Sequence, residues 1–305
     1  MLHKTIKLNS GYDIPTLGLG TWKSMPNQVG QAVRYALTEA GYIHIDGAMI
    51  YRNEPEVGKV YAEVFKSIKR EDIFITSKLW NTNHASQNVE AACRQTLRDL
   101  QLDYLDLYLM HWGVAFKHGD ELEPMQNGKA VTEKVSIRET WEAMENLVKL
   151  GLVRSIGVAN FTTMMLHDLM TYATITPAMN QIELHPYNAQ QSLVDYCRGL
   201  GIAVTAYSPT GRMGVELNTT RLHEDPVVKK IAAKHKKSVA QILINWAIER
   251  STVVIPKSIT PARIKENIEV FDFQLDETDM KELAMLDKGL RYVDPSDWWG
   301  IPYFK

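Results

Sequence analysis

A chain of 305 residues, 45% apolar and 23% charged, has the make-up of an ordinary soluble protein with material for a large core. Its 34 Lys and Arg against 36 Asp and Glu leave a formal charge of −2, which excludes a general attraction for nucleic acid or anionic membrane. No apolar run approaches the ~20 residues of a membrane span, and the opening MLHKTIKLNSGYDIP carries no signal-peptide core. Two cysteines, Cys93 and Cys197, fall on apolar helix faces without framework spacing, the pattern of a reduced, cytoplasmic protein.

At the start of the chain, segments 5–8 and 13–15 flank Asn9-Ser10-Gly11, a turn signal that predicts a hairpin across one end of the fold. Short, nearly continuous apolar runs follow at 16–20, 43–48, 73–79, 104–111, 155–160, 178–184, 203–209 and 252–258. That is the pattern of parallel strands buried on both faces. Between them lie amphipathic helical patterns, among them 29–40, 54–65, 87–100, 137–150 and 193–200. Eight strands, each followed by a helix, predict an α/β fold of the (β/α)₈ barrel type, in a single domain over 1–305. An additional C-terminal helix is expected from Asp276, as N-cap, to about Leu286, followed by an ordered, irregular C-terminal tail over 292–305. The competing fold, an open doubly wound sheet, would call for G-x-G-x-x-G after its first strand; Gly18-Leu19-Gly20-Thr21-Trp22 lacks the third glycine and opens no helix.

A barrel gathers its chemistry at the carboxyl ends of its strands. There the sequence puts Asp46 with Tyr51 just beyond it, then Lys78, then His111. Singly each has a structural reading: a helix cap, a packed ring, a snorkelling cation, a core histidine. On three adjacent strand ends they point instead to acid catalysis. An ordinary tyrosine, with a pKa of ~10, is a poor proton donor at neutral pH. A nearby ammonium, Lys78, lowers that value, and Asp46 keeps the desolvated lysine charged. His111 then orients a substrate oxygen. The set suits protonation of a carbonyl oxygen while a hydride reaches its carbon. The nine histidines show no metal-ligand spacing.

Trp22, Trp80, Trp112, Trp298 and Trp299 fall in loops at the same end or in the tail, and favour a pocket over an oligomer contact; Trp141 and Trp246 fit core helix faces. After the last strand, IPKSITPAR sets Pro261 in a first helical turn with Thr260 as N-cap. Lys257, Ser258 and Arg263 then surround a helix N-terminus, an arrangement that holds phosphate. The alternative is an ordinary basic surface loop.

Through GLGTWKS, HIDGAMIYRNEPEVG, SKLWNTNH, LDLYLMHW, GLVRSIGVANF, NQIELHPY, TAYSP and IPKSITPARIKEN, the chain resembles the aldo-keto reductase family, in its aldose and xylose reductase branch, over nearly its whole length. The resemblance implies NADPH-dependent reduction of aldehydes and aldoses on a (β/α)₈ barrel. It makes Tyr51 the acid, with Lys78 and Asp46 tuning it and His111 orienting the carbonyl. It implies Asn160 and Gln181 on the nicotinamide amide, Tyr207 stacked on the ring and Ser208 beside it. It also implies Lys257, Ser258, Thr260 and Arg263 on the adenosine 2′-phosphate, and Glu266 and Asn267 on the adenine. Trp22, Met49, Trp80, His111, Trp112 and Trp298 would surround the substrate. Two cations at a 2′-phosphate favour NADPH over NADH. The implied partner is a small aldehyde or aldose, with no nucleic acid or membrane, on a monomer or weak homodimer.

Three departures stand out. Ala159 replaces a Ser before Asn160 and removes one hydroxyl contact to the nicotinamide amide, worth ~1 kcal/mol. Gly113 replaces a Pro after His111-Trp112, which predicts a looser loop. The segment 210–221, where the family folds a belt over the cofactor, is short and offers no assignable cofactor residue. The tail DPSDWWGIPYF resembles xylose reductases and makes Trp298 or Trp299 a determinant of substrate choice. Two other readings compete: a Schiff-base aldolase using Lys78, and a non-catalytic NADPH-binding member with a structural or sensing role, which would tolerate loss of the four residues.

Overall fold

In the computed structural model, which describes residues 4–212 and 220–305, β1 (Thr5–Lys7) and β2 (Asp13–Pro15) pair antiparallel as the expected hairpin. Its turn uses Gly11 at φ +91°, a conformation that disfavours side chains. β3 (Leu19–Gly20), β4 (His44–Asp46), β5 (Phe74–Leu79) and β6 (Leu105–Met110) follow. A small hairpin, β7 (Met125–Gln126) with β8 (Lys129–Ala130), then interrupts the series, before β9 (Val153–Ala159), β10 (Met179–Glu183), β11 (Ala203–Tyr207) and β12 (Val253–Val254).

The large sheet runs β3-β4-β5-β6-β9-β10-β11-β12, and every neighbouring pair is parallel. Its two edges meet. Val254 N donates to Thr16 O at 2.7 Å, Gly18 N to Val254 O at 2.9 Å and Gly20 N to Pro256 O at 3.1 Å, so the sheet closes into the expected barrel and leaves no edge. β12 is shorter than the apolar run 252–258 because Pro256 has no N–H to give to a ladder.

Helices cover the outside: α1 (Val29–Tyr35, continued by a π turn over Ala36–Ala40), α2 (Glu54–Val64), α3 (Ser86–Leu100), α4 (Ile137–Lys149), α5 (Thr163–Met170) and α6 (Gln191–Gly199). α7 (Pro226–His235) and α8 (Val239–Glu249) both lie between β11 and β12, so α7 is an addition to strict alternation. α9 (Pro261–Ile268) follows β12. α10 (Glu277–Ala284) starts at Asp276, whose side chain and that of Asp279 cap each other's backbone N–H. The tail contains one helical turn, α11 (Ser296–Trp299).

Burial separates two layers. One lies between strands and helices, where Trp141 and Trp246 are buried as expected. The other fills the barrel around Phe74, Leu107, Leu109, Met179 and Val253, and Leu8 and Ile14 of the hairpin close it from below. Asn9 Nδ2 fastens that plug by donating to Pro177 O and Gly201 O at 2.9 and 3.1 Å, just ahead of β10 and β11. The amino end of the barrel is therefore sealed, and the carboxyl end is left for chemistry.

Candidate active site

Each residue at the open end is placed by the strand that precedes it. β4 ends in Asp46, and a single 3₁₀ turn over Met49–Tyr51 brings Tyr51 back over the barrel. β5 carries Lys78 one residue from its end, and β6 delivers His111 immediately after Met110. Lys78 Nζ donates to Asp46 Oδ1 at 2.5 Å and to Gly47 O at 2.7 Å. The other Asp46 oxygen accepts from Gln181 Nε2 at 2.7 Å, across the barrel from β10. Lys78 Nζ lies 5.5 Å from the centre of the Tyr51 ring, and that ring lies 5.9 Å from His111. The four residues predicted on three adjacent strand ends form one contiguous group.

Burial governs their acidities. It pushes the Tyr51 phenol well above its ordinary value, and the Asp46 charge adds to the effect. The expected lowering by Lys78 is absent, because the ammonium is aimed at Asp46 and Gly47 and the pair is nearly neutral as seen from the ring. Burial lowers Lys78, with Asp46 opposing. Burial, with Lys78 and His84 adding to it, drives His111 well below the usual histidine value, so it is a neutral imidazole at neutral pH.

Above the group opens a cavity of about 1170 Å³. Asp46, Tyr51 and His111 line it, whereas Lys78 lies wholly buried behind them. Trp22, Trp80, Trp112, Trp298 and Trp299 supply an aromatic wall. Trp299 is edge-on to Trp80 at 6.0 Å, to Trp112 at 5.1 Å and to Phe116 at 4.8 Å, so the buried member of the tail pair anchors the wall and the half-exposed Trp298 flanks it. Met49 packs against this aromatic cluster without lining the cavity, contrary to expectation.

The cavity continues along the strand ends to α9. Asn160, Gln181, Tyr207, Ser208, Lys257, Ser258, Thr260, Arg263, Glu266 and Asn267 all line it. Asn160 and Ser208 terminate β9 and β11 at φ +63° and +49°, left-handed conformations imposed on non-glycine residues. Tyr207 Oη donates to Asn160 Oδ1 at 2.7 Å and Asn160 Nδ2 to His111 O at 3.0 Å, which ties this half to the cluster around Tyr51. Thr260 occupies the N-cap position of α9, but its side chain makes no cap; Ser258 Oγ accepts from Thr260 N instead, at 3.2 Å. Ala159 is buried with the barrel interior.

Sequence reasoning missed Lys23, Arg52, Glu123 and Arg212, which also line the cavity. Lys23 and Arg212 stack on Trp22 at 4.7 and 5.5 Å, and Lys257 Nζ donates to Lys23 O at 3.3 Å. Of the segment 210–221, residues 213–219 lie outside the described residues; Arg212, at their border, donates to Tyr292 O at 3.2 Å. Gly113 does not loosen its loop. Its N–H donates to Tyr303 Oη at 2.8 Å, a bond that proline could not make, and so the loop is pinned to the tail.

The family model for the aldo/keto reductase family matches residues 16–288. The chain belongs to this family. It is 50% identical over 297 residues to aldo-keto reductase family 1 member A1 of Gallus gallus, covering 95% of this chain and 90% of that relative. To the Homo sapiens protein of the same name it is 47% identical, covering 97% and 93%. The solved aldose reductase of Schistosoma japonicum superimposes with a TM-score of 0.93 at 44% identity, over 99% of each chain. Family and fold thus agree with the closed barrel. Among the described residues no helix is long and apolar enough to cross a membrane.

Proposed function

We propose that this protein reduces aldehydes and aldoses to alcohols with NADPH, Tyr51 giving the proton. The observation that carries the reading is the single cavity that joins the Asp46–Tyr51–His111 face at one end to Lys257, Ser258 and Arg263 at the N-terminus of α9. At about 1170 Å³ it exceeds the roughly 300–1,000 Å³ of a drug-sized ligand site, room for a dinucleotide and a small substrate together. The names of the relatives, an aldose reductase among them, support carbonyl compounds as substrates.

The fit to NADPH rests on charge. Burial holds Lys23 and Lys257 below the ordinary lysine value, and Arg212 lowers Lys23 further; anionic phosphates relieve that strain. Lys257, Ser258, Thr260 and Arg263 would hold the 2′-phosphate, Glu266 and Asn267 the adenine, and Asn160, Gln181, Tyr207 and Ser208 the nicotinamide. When bound, the nicotinamide supplies the hydride. The neutral His111 imidazole orients the carbonyl oxygen toward Tyr51. As the oxygen becomes alkoxide, a stronger base than a phenolate, it takes the Tyr51 proton, so the alkoxide's basicity drives the transfer, while Lys78 stays bound to Asp46 and Gly47 beneath the ring. The raised Tyr51 value keeps the proton in place until that moment.

Lys78 weighs against a Schiff-base aldolase: its ammonium is buried, doubly hydrogen-bonded and outside the cavity wall. Titration of both cofactors tests the cofactor assignment. NADPH is expected to bind more tightly than NADH, and Arg263→Ala to weaken NADPH by roughly ten-fold or more while changing NADH little. Equal losses for the two cofactors would contradict it.

A further inference from the structure

We infer that Glu123 is a specificity-determining residue, which makes the outer pocket a site for carbonyl compounds whose far end is a cation and turns away those ending in a carboxylate. The inference rests on the reductase reading given above.

Glu123 enters the cavity from the loop ahead of β7 and is the one carboxylate in an otherwise aromatic wall formed by Trp80, Trp112, Trp298 and Trp299. Its Oε1 accepts from Trp299 Nε1 at 3.0 Å, which fixes the carboxylate against the buried indole. Among the described residues, its Oε2 has no hydrogen-bond partner and Glu123 forms no ion pair. Asp46, by contrast, has both oxygens committed, to Lys78 and Gln181. A fixed carboxylate with an open oxygen, flanked by indole faces, is the chemistry that holds an ammonium group.

The cavity's charges are also separated along its length. Lys23 and Arg212 crowd the Trp22 side, continuous with Lys257 and Arg263, where anions belong. Arg52, the remaining cation of the wall, makes no ion pair with Glu123. A substrate with its carbonyl at Tyr51 and His111 therefore extends toward a negative outer wall. Glu123 is exposed at the rim of the cavity, so its charge acts through solvent with modest strength: a carboxylate placed there is repelled and an ammonium attracted.

Glu123→Gln tests this cleanly, since the carboxamide oxygen still accepts from Trp299 and only the charge is lost. Three aldehydes serve as probes: 4-(dimethylaminomethyl)benzaldehyde, its neutral isostere 4-isobutylbenzaldehyde, and 4-carboxybenzaldehyde. In the variant, kcat/KM for the cationic aldehyde relative to the neutral one is expected to fall roughly five-fold, and that for the carboxylate to rise by a similar factor. Unchanged ratios would overturn the inference. Quenching of tryptophan fluorescence by the same compounds separates the two claims. If the wild-type chain reduces none of the aldehydes yet binds the cation more tightly than Glu123→Gln does, the reductase reading fails and the Glu123 site stands. Equal binding by both proteins would overturn the site itself.

Discussion

A carboxyl group beneath the site stores a pH dependence of its own. Glu54, in the first turn of α2, is fully buried and accepts from Ser77 Oγ at 2.5 Å and Thr96 Oγ1 at 3.1 Å. Burial pushes it up to about 7 from an ordinary 4.5, those hydrogen bonds and Lys78 opposing. The folded chain thus keeps a proton that the unfolded chain releases between those values. By linkage, stability falls as pH rises from 4.5 to 7, by roughly 3 kcal/mol across the window. His44 acts in the opposite sense, because burial lowers it to about 4 and stability is lost as pH falls below 6.5. Urea midpoints of wild type and Glu54→Gln, compared from pH 4.5 to 7, isolate the glutamate because His44 is common to both: the variant's stability should rise relative to wild type across that window, and parallel curves would contradict the assignment. At this scale the sequence was informative about identity and silent about electrostatics. Asp46, Lys78, Tyr51 and His111 stood out because polar groups rarely end buried apolar runs. The rise at Tyr51 could not be read, since it depends on where the Lys78 ammonium points.

Helix packing brings the scaffold close around these groups. Gly58 on α2 meets the end of α3: a Cβ built there would lie 2.1 Å from Asp99 O and 2.8 Å from the Leu100 carbonyl carbon. Both are backbone atoms, so α2 must move away, and with it Glu54 and its bond to β5 beside Lys78. Gly58→Ala is expected to cost about 1–3 kcal/mol in denaturant unfolding, despite its better helix propensity. A neutral or stabilising effect would contradict the close crossing. Amphipathic helices such as α3 and α4 were legible because one face is wet. α8 was legible only through Trp246, read as part of a core helix face, and its bounds were not: Gln241 through Ile248 are buried, so no polar stripe marks its period. β12, two residues long and ended by Pro256, was legible only as a longer apolar run. Glu123 was hidden because the segment 113–135 has neither helical nor strand periodicity, and a lone acidic residue in a loop carries no signal.

For the whole molecule, eight strands converge on one open end while the hairpin closes the other. The tail completes the pocket. Glu183, buried at the end of β10, accepts backbone N–H groups of Tyr292 and Val293 at 2.7 and 3.1 Å, and Tyr303 Oη takes the Gly113 N–H, so the segment carrying Trp298 and Trp299 is held at both ends. Strand order followed from the alternation of apolar runs with amphipathic stretches, and the hairpin from its Asn9-Ser10-Gly11 turn signal; the tail's anchorage, made by pairs more than 100 residues apart, did not. The central claim is that this assembly moves a hydride and a proton to a carbonyl. Its most direct test follows NADPH oxidation at 340 nm with glyceraldehyde and xylose, for wild type and Tyr51→Phe, alongside cofactor titration. Wild-type turnover, lost by roughly 10²–10⁴-fold in Tyr51→Phe with NADPH binding retained, is the predicted result. Turnover undiminished in Tyr51→Phe, or a wild-type chain that binds NADPH and reduces no carbonyl, would contradict it.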